Sequence, residues 1–406
     1  MCVGGGPAGL YFALAMKLLD PSHDITVCER RVATADMGWG VTIGPDMLGQ
    51  LGNIDPVTAQ RIEATAFRWT GGQVTRIRGA EMLRPGVSGY GISRRRLLAI
   101  LVDRAQSLGV RVEFGREIAS RSELPDADLI LASDGVGSRL RAQGQFGTRI
   151  RQGSNLYIWL GTTKIFERFT YAFAPTEAGW LWAYAYGADS RRSTFVVECS
   201  RDTWMRLGLD SIPPIACLTR LENIFAEHLD GHQLIGQADH THSWLSFRTV
   251  RNEKWSDGNV VLAGDSAHTT HFSIGMGTTL ALGDAIALAE NIHRHSSLET
   301  ALESYQAERQ AAMNLLSDAA SLSARWFENI PRYAGFAPQQ FNVLLHARRS
   351  PLLHVMPPRL FYALHQSAEA AAPLRGIRKM AGTATKSVHS LRKVSPAAIE
   401  HTDSPR

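Results

Sequence analysis

Residues 259–291 read NVVLAGDSAHTTHFSIGMGTTLALGDAIALAEN. The apolar run Val260 to Ala263 has the length of a short buried strand, and the last fifteen residues of the stretch carry the small and apolar side chains of a buried helix. Gly264 to Thr279 therefore joins a strand to a helix at one end of a sheet, which is where α/β folds bind ligands. Asp265 directly follows the strand, in position to accept hydrogen bonds from ligand hydroxyls. In Gly275-Met276-Gly277-Thr278 the glycines let bare N–H groups approach a flat ring, and a helix N-terminus favours an anion there. An ordinary glycine-rich turn has the same composition, so the reading depends on the rest of the chain.

The N-terminus supplies the first support. Gly4-Gly5-Gly6-Pro7-Ala8-Gly9 is a G-x-G-x-x-G that opens a helix with Leu10, Leu14 and Leu18 on its apolar side, and Asp20-Pro21 ends that helix. Ile25 to Cys28 reads as the next strand, closing on Glu29 and Arg30, with Glu29 twenty residues past Gly9. This is the dinucleotide fingerprint: glycines for a tight turn and for pyrophosphate approach, and an acid for ribose hydroxyls. An acid at this position suits an unphosphorylated ribose, hence FAD or NAD. Only Met1 to Val3 precede Gly4, which is short for a central strand, and residues upstream would be expected to lengthen it.

A third turn follows the strand Asp128 to Ala132, in Ser133-Asp134-Gly135-Val136-Gly137-Ser138-Arg139-Leu140-Arg141. Three such turns are too many for one NAD and suit one extended FAD. Gly38-Trp39-Gly40-Val41 places small residues where backbone could run beside a planar ring. Ile92 to Leu97 opens another helix, with Arg94, Arg95 and Arg96 in its first turn opposing the helix dipole. A diphosphate would account for them, and so would a solvated basic corner at Arg95 and Arg96.

Composition sets the outer limits. At 44% hydrophobic and 20% charged, the 406 residues have the makeup of a globular protein of one or two domains. The glycine-broken N-terminus matches neither a signal peptide nor a membrane span. Cys2, Cys28, Cys199 and Cys217 have no metal-ligand spacing and fit a reducing compartment, so a cytoplasmic location is expected, and no metal site. The net charge of +5 resides entirely in residues 374–406, whose basic, Ser/Thr/Ala/Pro-rich composition predicts a disordered tail. With the body neutral, neither nucleic acid nor membrane is an expected partner.

The motifs, taken in order (the fingerprint with Glu29, D-G-x-x-S-x-x-R at 134–141, and G-D-x-x-H at 264–268), resemble the single-component flavoprotein aromatic hydroxylases, the class of 4-hydroxybenzoate hydroxylase. YIWLGT (157–162), STFVVEC (193–199), TVRNEKW (249–255), HFSIGMGT (271–278) and WFENI (326–330) resemble more closely salicylyl-CoA 5-hydroxylase and the hydroxylase part of anthraniloyl-CoA monooxygenase. Ser273 departs from the proline usual in the broader class, and the hydroxylase part alone is expected here. The resemblance implies an α/β fold: a Rossmann-type FAD-binding domain made of residues 1–73, 94–155 and 250–297, an inserted, mostly β substrate domain at 74–93 and 156–249, and C-terminal helices over 298–373. The strand pattern supports the insertion, since Trp180, Trp182, Tyr184 and Tyr186 alternate with Leu181, Ala183 and Ala185. That aromatic face could line a pocket for a flat substrate or pack on the core. Leu302, Tyr305, Met313, Leu316 and Ala320 keep helical spacing along 298–327.

By the same resemblance, NAD(P)H reduces FAD, and dioxygen then forms a flavin C4a-hydroperoxide that hydroxylates an activated ring, expected to be an aryl-CoA thioester such as salicylyl-CoA or anthraniloyl-CoA at C5. The residues expected to hold FAD are Gly4, Gly6, Pro7, Ala8, Gly9, Glu29, Arg30, Gly40, Val41, Arg94, Asp134, Gly135, Gly264, Asp265, Gly275, Met276, Gly277 and Thr278. Those expected at the substrate are Tyr157, Trp159, Trp182, Tyr184 and Phe272, with His271 as the candidate base, although His271 and His268 could equally be structural. A monomer or homodimer is expected. The alternatives are a hydroxylase of a free or carrier-bound aromatic acid or amino acid, a flavin dehydrogenase that never activates oxygen, and a flavin-bound interaction protein. A halogenase is disfavoured because Trp180-Leu181-Trp182 lacks the Ile-Pro that should follow.

Overall fold

The computed structural model describes residues 1–33, 38–236 and 243–370. Its centre is a sheet in the order Ser256–Asp257, Val260–Leu262, Ile130–Ala132, Cys2–Val3, Thr26–Glu29, Arg111–Phe114, parallel throughout except for the first strand at the edge. The inner strands are mostly Val, Leu, Ile, Ala and Cys, with Thr26 and Glu29 at the ends of one, as suits strands covered on both faces. Cys2–Val3 is only two residues long, yet it pairs with Val27 and Cys28 on one side and Leu131 and Ala132 on the other. Helix Pro7–Leu19 packs against Gly277–Arg294 and Arg94–Ser107. Glycine at 9 permits the tight start of the first of these, because a Cβ there would lie 2.2 Å from the Gly4 carbonyl oxygen.

The second sheet is larger and mixed, in the order Leu234–Ile235, Arg149–Thr162, Ser193–Ser200, Gly179–Gly187, Phe169–Thr176, Gln73–Ile77, Ala80–Arg84, with Leu245–Arg251 pairing along Arg149–Thr162. The expected alternation in Gly179–Gly187 is present. Leu181, Ala183 and Ala185 join a core with Leu160, Phe195, Leu221 and Phe225, whereas Trp182, Tyr184 and Tyr186 occupy the opposite face. A third sheet of Gly40–Ile43, Gly89–Ser93 and Phe67–Trp69 takes the end of the segment expected to belong wholly to the substrate region: residues 73–84 form a hairpin on the large sheet, but 89–93 pair with 40–43.

Helix Leu298–Glu328 touches both larger sheets. Its Tyr305 hydroxyl donates to the Leu262 carbonyl at 3.0 Å, and Phe327 near its end stacks on Trp182 at 5.7 Å. Residues Met1–Pro351 form one compact unit, and the described residues that follow it include helix Pro358–Ala370. The expected basic tail, 374–406, lies outside the described residues. Among those residues no helix is long and apolar enough to cross a membrane.

Candidate active site

The turns after Val3, Ala132 and Leu262 leave neighbouring strands at the same end, so the three motifs converge. Their glycines divide by what a side chain would meet. Gly4, at φ +109°, would put a Cβ 2.3 Å from the Ser133 carbonyl oxygen, and Gly9 is blocked by Gly4, so both are demanded by the protein itself. At Gly6, Gly135 and Gly277 a Cβ would meet nothing within 4 Å, and all three line one cavity of about 390 Å³. These are the positions beside which a phosphate-bearing, planar ligand can lie against bare backbone. Asp134 adds an orphan: its Oδ2 accepts the Arg139 N–H at 2.9 Å, while its buried Oδ1 has no partner among the described residues. The residues present fit FAD.

The loop after Leu262 is anchored from behind. Asp284, fully buried on helix Gly277–Arg294, accepts the Gly264 N–H at 2.8 Å and faces His268 Nε2 at 2.7 Å with one oxygen, and accepts Arg309 Nε at 2.8 Å with the other. His268 and Arg309 outweigh desolvation and hold this carboxyl at about 2. His268 of the G-D-x-x-H motif is thus a structural clamp, stacked on Trp255. Arg141, buried in the D-G-x-x-S-x-x-R turn, donates to the carbonyls of Ser266 at 3.0 Å and Val136 at 2.7 Å, tying the second turn to the third. Thr42 Oγ1 donates to the Gly275 carbonyl at 3.1 Å and fixes the far end of the loop against strand Gly40–Ile43.

On the cavity wall the structure brings together Gly6, Pro7, Ala8, Val41, Arg94, Gly135, Gly264, Asp265 and Gly275 to Thr278 from the expected cofactor set, and Tyr157, Trp159, Tyr184 and Phe272 from the expected substrate set. Asp265 opens onto the cavity; its enclosure by protein raises its pKa, opposed by Arg94 and His268. Arg94 makes no side-chain ion pair among the described residues, and desolvation lowers its pKa while Asp265 opposes. The aromatic wall is interlocked: Phe272 lies 4.7 Å from Tyr157 and, edge-on, 5.3 Å from Tyr184.

Several expected residues lie off this wall. Gly4, Gly9 and Gly40 are packed in the protein, and Arg30 is exposed. Glu29 is buried, accepting the Gly5 N–H at 2.8 Å and the Arg31 N–H at 2.9 Å, one on each oxygen. Trp182 does not reach the cavity. It is 1% exposed, held between Phe327 and a carboxylate that the sequence reading passed over.

That carboxylate is Glu198, 1% exposed in strand Ser193–Ser200. Its Oε1 accepts Asn155 Nδ2 at 2.8 Å, and its Oε2 accepts Trp182 Nε1 at 3.1 Å and the Tyr184 hydroxyl at 2.7 Å. Burial nevertheless pushes it up to about 7, with a small addition from Glu328. The signal in the sequence is a lone acid in an apolar strand; what cannot be read there is the pairing that puts Trp182 directly opposite. His271 Nε2 lies 3.8 Å from Glu198, and its Nδ1 shares a 2.9 Å hydrogen bond with Ser273 Oγ. Burial, aided by Arg348, lowers His271 to about 3, so the ring is neutral at pH 7. It sits one layer behind Phe272, with the two rings stacked at 4.4 Å. Arg348, also buried, closes this layer by donating to Ser323 Oγ, the Tyr171 hydroxyl and the Ser273 carbonyl.

A family model described as an FAD binding domain matches residues 1–320. The chain is 35% identical to a Streptomyces salicyloyl-CoA 5-hydroxylase over 363 residues, spanning 86% of this chain and 69% of that protein. The chain belongs to the FAD-dependent aromatic monooxygenases. The monooxygenase is also 35% identical over 330 residues, 81% of its length and 88% of the relative's, to the 3-hydroxy-4-methyl-anthranilyl-(aryl-carrier protein) 5-monooxygenase of Streptosporangium sibiricum. It shares its fold with the tetrameric form of 2-methyl-3-hydroxypyridine-5-carboxylic acid oxygenase, at a TM-score of 0.65 and 19% identity over 85% of this chain and 94% of that one. FAD is the monooxygenase's cofactor, and NAD(P)H is the reductant of its class.

The two kinds of glycine make a paired prediction. Gly6→Ala should leave the urea midpoint of the FAD-free monooxygenase at the wild-type value while weakening FAD at least about tenfold, whereas Gly9→Ala should lower that midpoint or prevent folding. Equal stability loss in both would contradict the division. Glu198 generates the second prediction. Its proton is bound more tightly in the folded than in the unfolded chain, so unfolding free energy falls as pH rises from about 4.5 to about 7. Glu198→Gln should remove this slope, gaining on wild type by on the order of 3 kcal/mol between pH 5 and pH 8 in urea unfolding. A difference independent of pH would show that Glu198 titrates normally.

Proposed function

We propose that the monooxygenase hydroxylates an electron-rich aromatic ring carried as a thioester, of the salicylyl or anthraniloyl kind, at C5, para to the hydroxyl or amino group. The observation that carries this reading is a single cavity with cofactor-type glycine turns on one side and Tyr157, Trp159, Tyr184 and Phe272 on the other. The named relatives act on a CoA ester and on a carrier-bound anthranilyl group, which supports a thioester here.

Residues 1–73, 94–155 and 250–297 hold FAD in this reading, and 156–249 face the substrate. The fingerprint from Gly4 to Gly9 and Glu29, with Arg30 at its rim, serve the adenosine diphosphate, and Asp134, Gly135 and Asp265 the ribityl and pyrophosphate oxygens. Val41 and Gly275 to Thr278 flank the flavin ring, and Arg94 offsets negative charge beside it. Bound FAD supplies the redox chemistry, taking electrons from NAD(P)H and delivering one oxygen atom from dioxygen to the ring. The chain's task is to orient the ring, exclude water and manage one proton. Tyr184 lines the cavity and its hydroxyl donates to Glu198, whose pKa near 7 suits it, in this reading, to take up a proton passed through Tyr184 from a substrate hydroxyl. The neutral, buried His271 then acts as a positioning group behind Phe272.

Arg248 favours a second reading. It is an exposed cation on the same cavity wall, without a side-chain ion pair among the described residues, and it could clamp the carboxylate of a free aromatic acid. Product analysis after turnover with salicylyl-CoA, anthraniloyl-CoA, benzoyl-CoA and the free acids separates the two. The thioester reading predicts 5-hydroxylation of the first two, hydrogen peroxide without hydroxylated product from benzoyl-CoA, and poor conversion of the acids. Efficient hydroxylation of a free acid with none of the thioester would overturn it.

A further inference from the structure

A second concavity, about 1160 Å³ and larger than the aromatic cavity, is rimmed by Arg68, Arg95, Arg96, Arg191 and Arg192. These guanidinium groups come from three places in the fold: strand Phe67–Trp69, the first turn of helix Arg94–Ser107, and the turn between Gly179–Gly187 and Ser193–Ser200. All five residues are exposed, and among the described residues none forms an ion pair. The acid on the same rim, Asp189, turns its Oδ1 back to the N–H groups of Arg191 at 2.7 Å and Arg192 at 2.9 Å. Arg95 and Arg96 also stand at the positive end of a helix, where cations are disfavoured. Like charges gathered without counter-charges around a groove of this size suit a polyanion with several phosphates. A single small anion would leave most of the volume unfilled.

The groove adjoins the aromatic cavity across one strand. Gly40 and Ser93 line the groove while their neighbours Val41 and Arg94 line the cavity. Trp39, half-buried with its indole packed against Gly161, also lines the groove. We infer that this groove binds a phosphate-bearing adenosine diphosphate, the nucleotide end of a ligand whose reactive end enters the aromatic cavity. Two ligands of this enzyme class carry that chemistry: a CoA thioester, as the reading under Proposed function requires, and the nicotinamide donor.

The test is equilibrium binding of unacylated coenzyme A and of NADPH to the FAD-loaded enzyme, with adenosine as the uncharged probe. Wild type is compared with Arg95→Ala/Arg96→Ala, Arg191→Ala/Arg192→Ala and the charge-matched control Arg201→Ala/Arg220→Ala, all exposed positions. Each groove double variant should weaken one of the two nucleotides at least about tenfold and flatten its salt dependence, and the control should not. Loss confined to coenzyme A makes the groove the thioester's site, and loss confined to NADPH makes it the donor's. Either result supports the groove even if product analysis rejects the thioester substrate. Unchanged binding of both nucleotides in both groove variants, or an equal loss in the control, would overturn the inference.

Discussion

Asp284 is the constraint on which the site depends. A carboxylate with no exposure in the middle of an apolar helix is costly unless its charge is met, and here His268, Arg309 and the Gly264 N–H meet it. Breaking such a buried pair costs about 3–5 kcal/mol. The clamp holds Gly264 at φ +64°, a conformation glycine adopts readily, and so fixes the direction in which Asp265 leaves the strand. Arg141 saturates the carbonyl of Ser266 from the neighbouring turn. The start of the loop is therefore tied to the protein through Gly264, Ser266 and His268, while Asp265 faces the cavity.

The same separation of structural from ligand-facing groups runs through the cavity. Gly4 and Gly9 are glycines because the backbone of the protein crowds them, Gly6 and Gly277 face open space, and Gly135 faces open space but also holds a left-handed backbone at φ +88°. On strand Gly179–Gly187 the two faces do different work. Leu181, Ala183 and Ala185 build the core, and of the aromatic residues opposite, Tyr184 and Tyr186 reach the cavity while Trp182 and Glu198 form the layer beneath. Glu198, its pKa raised to about 7 by burial, thus lies one hydroxyl, that of Tyr184, behind the aromatic wall of the cavity.

What could be read from the sequence was local. The three turns, the helix starts and the alternating aromatic strand are set by residues near one another in the chain, through glycine conformations and periods of 2 and 3.6. Asp284 was legible in part, as an acid inside the apolar run ALGDAIALAE, but its partner Arg309 lies one helix away. Glu198, Arg348 and the depth of His271 depend on which strands pair and on what helix Leu298–Glu328 covers, neither of which short-range pattern encodes. The arginine triplet at 94–96 was visible, yet only the fold divides it, turning Arg94 to the cavity and Arg95 and Arg96 to the groove. Tertiary pairing likewise split residues 74–93 between two sheets.

The central claim is that three strand-end turns hold one FAD, with Asp265 aimed at it and spared from structural work. Asp265 makes no side-chain hydrogen bond among the described residues, so its removal should cost the FAD-free fold little. The direct test is the flavin content of purified wild type and Asp265→Ala, read from the visible spectrum alongside the urea midpoint of the FAD-free proteins. The account predicts roughly one FAD per chain in the wild type, loss of most of it in the variant, and unchanged midpoints. Full retention of FAD by Asp265→Ala would contradict the account.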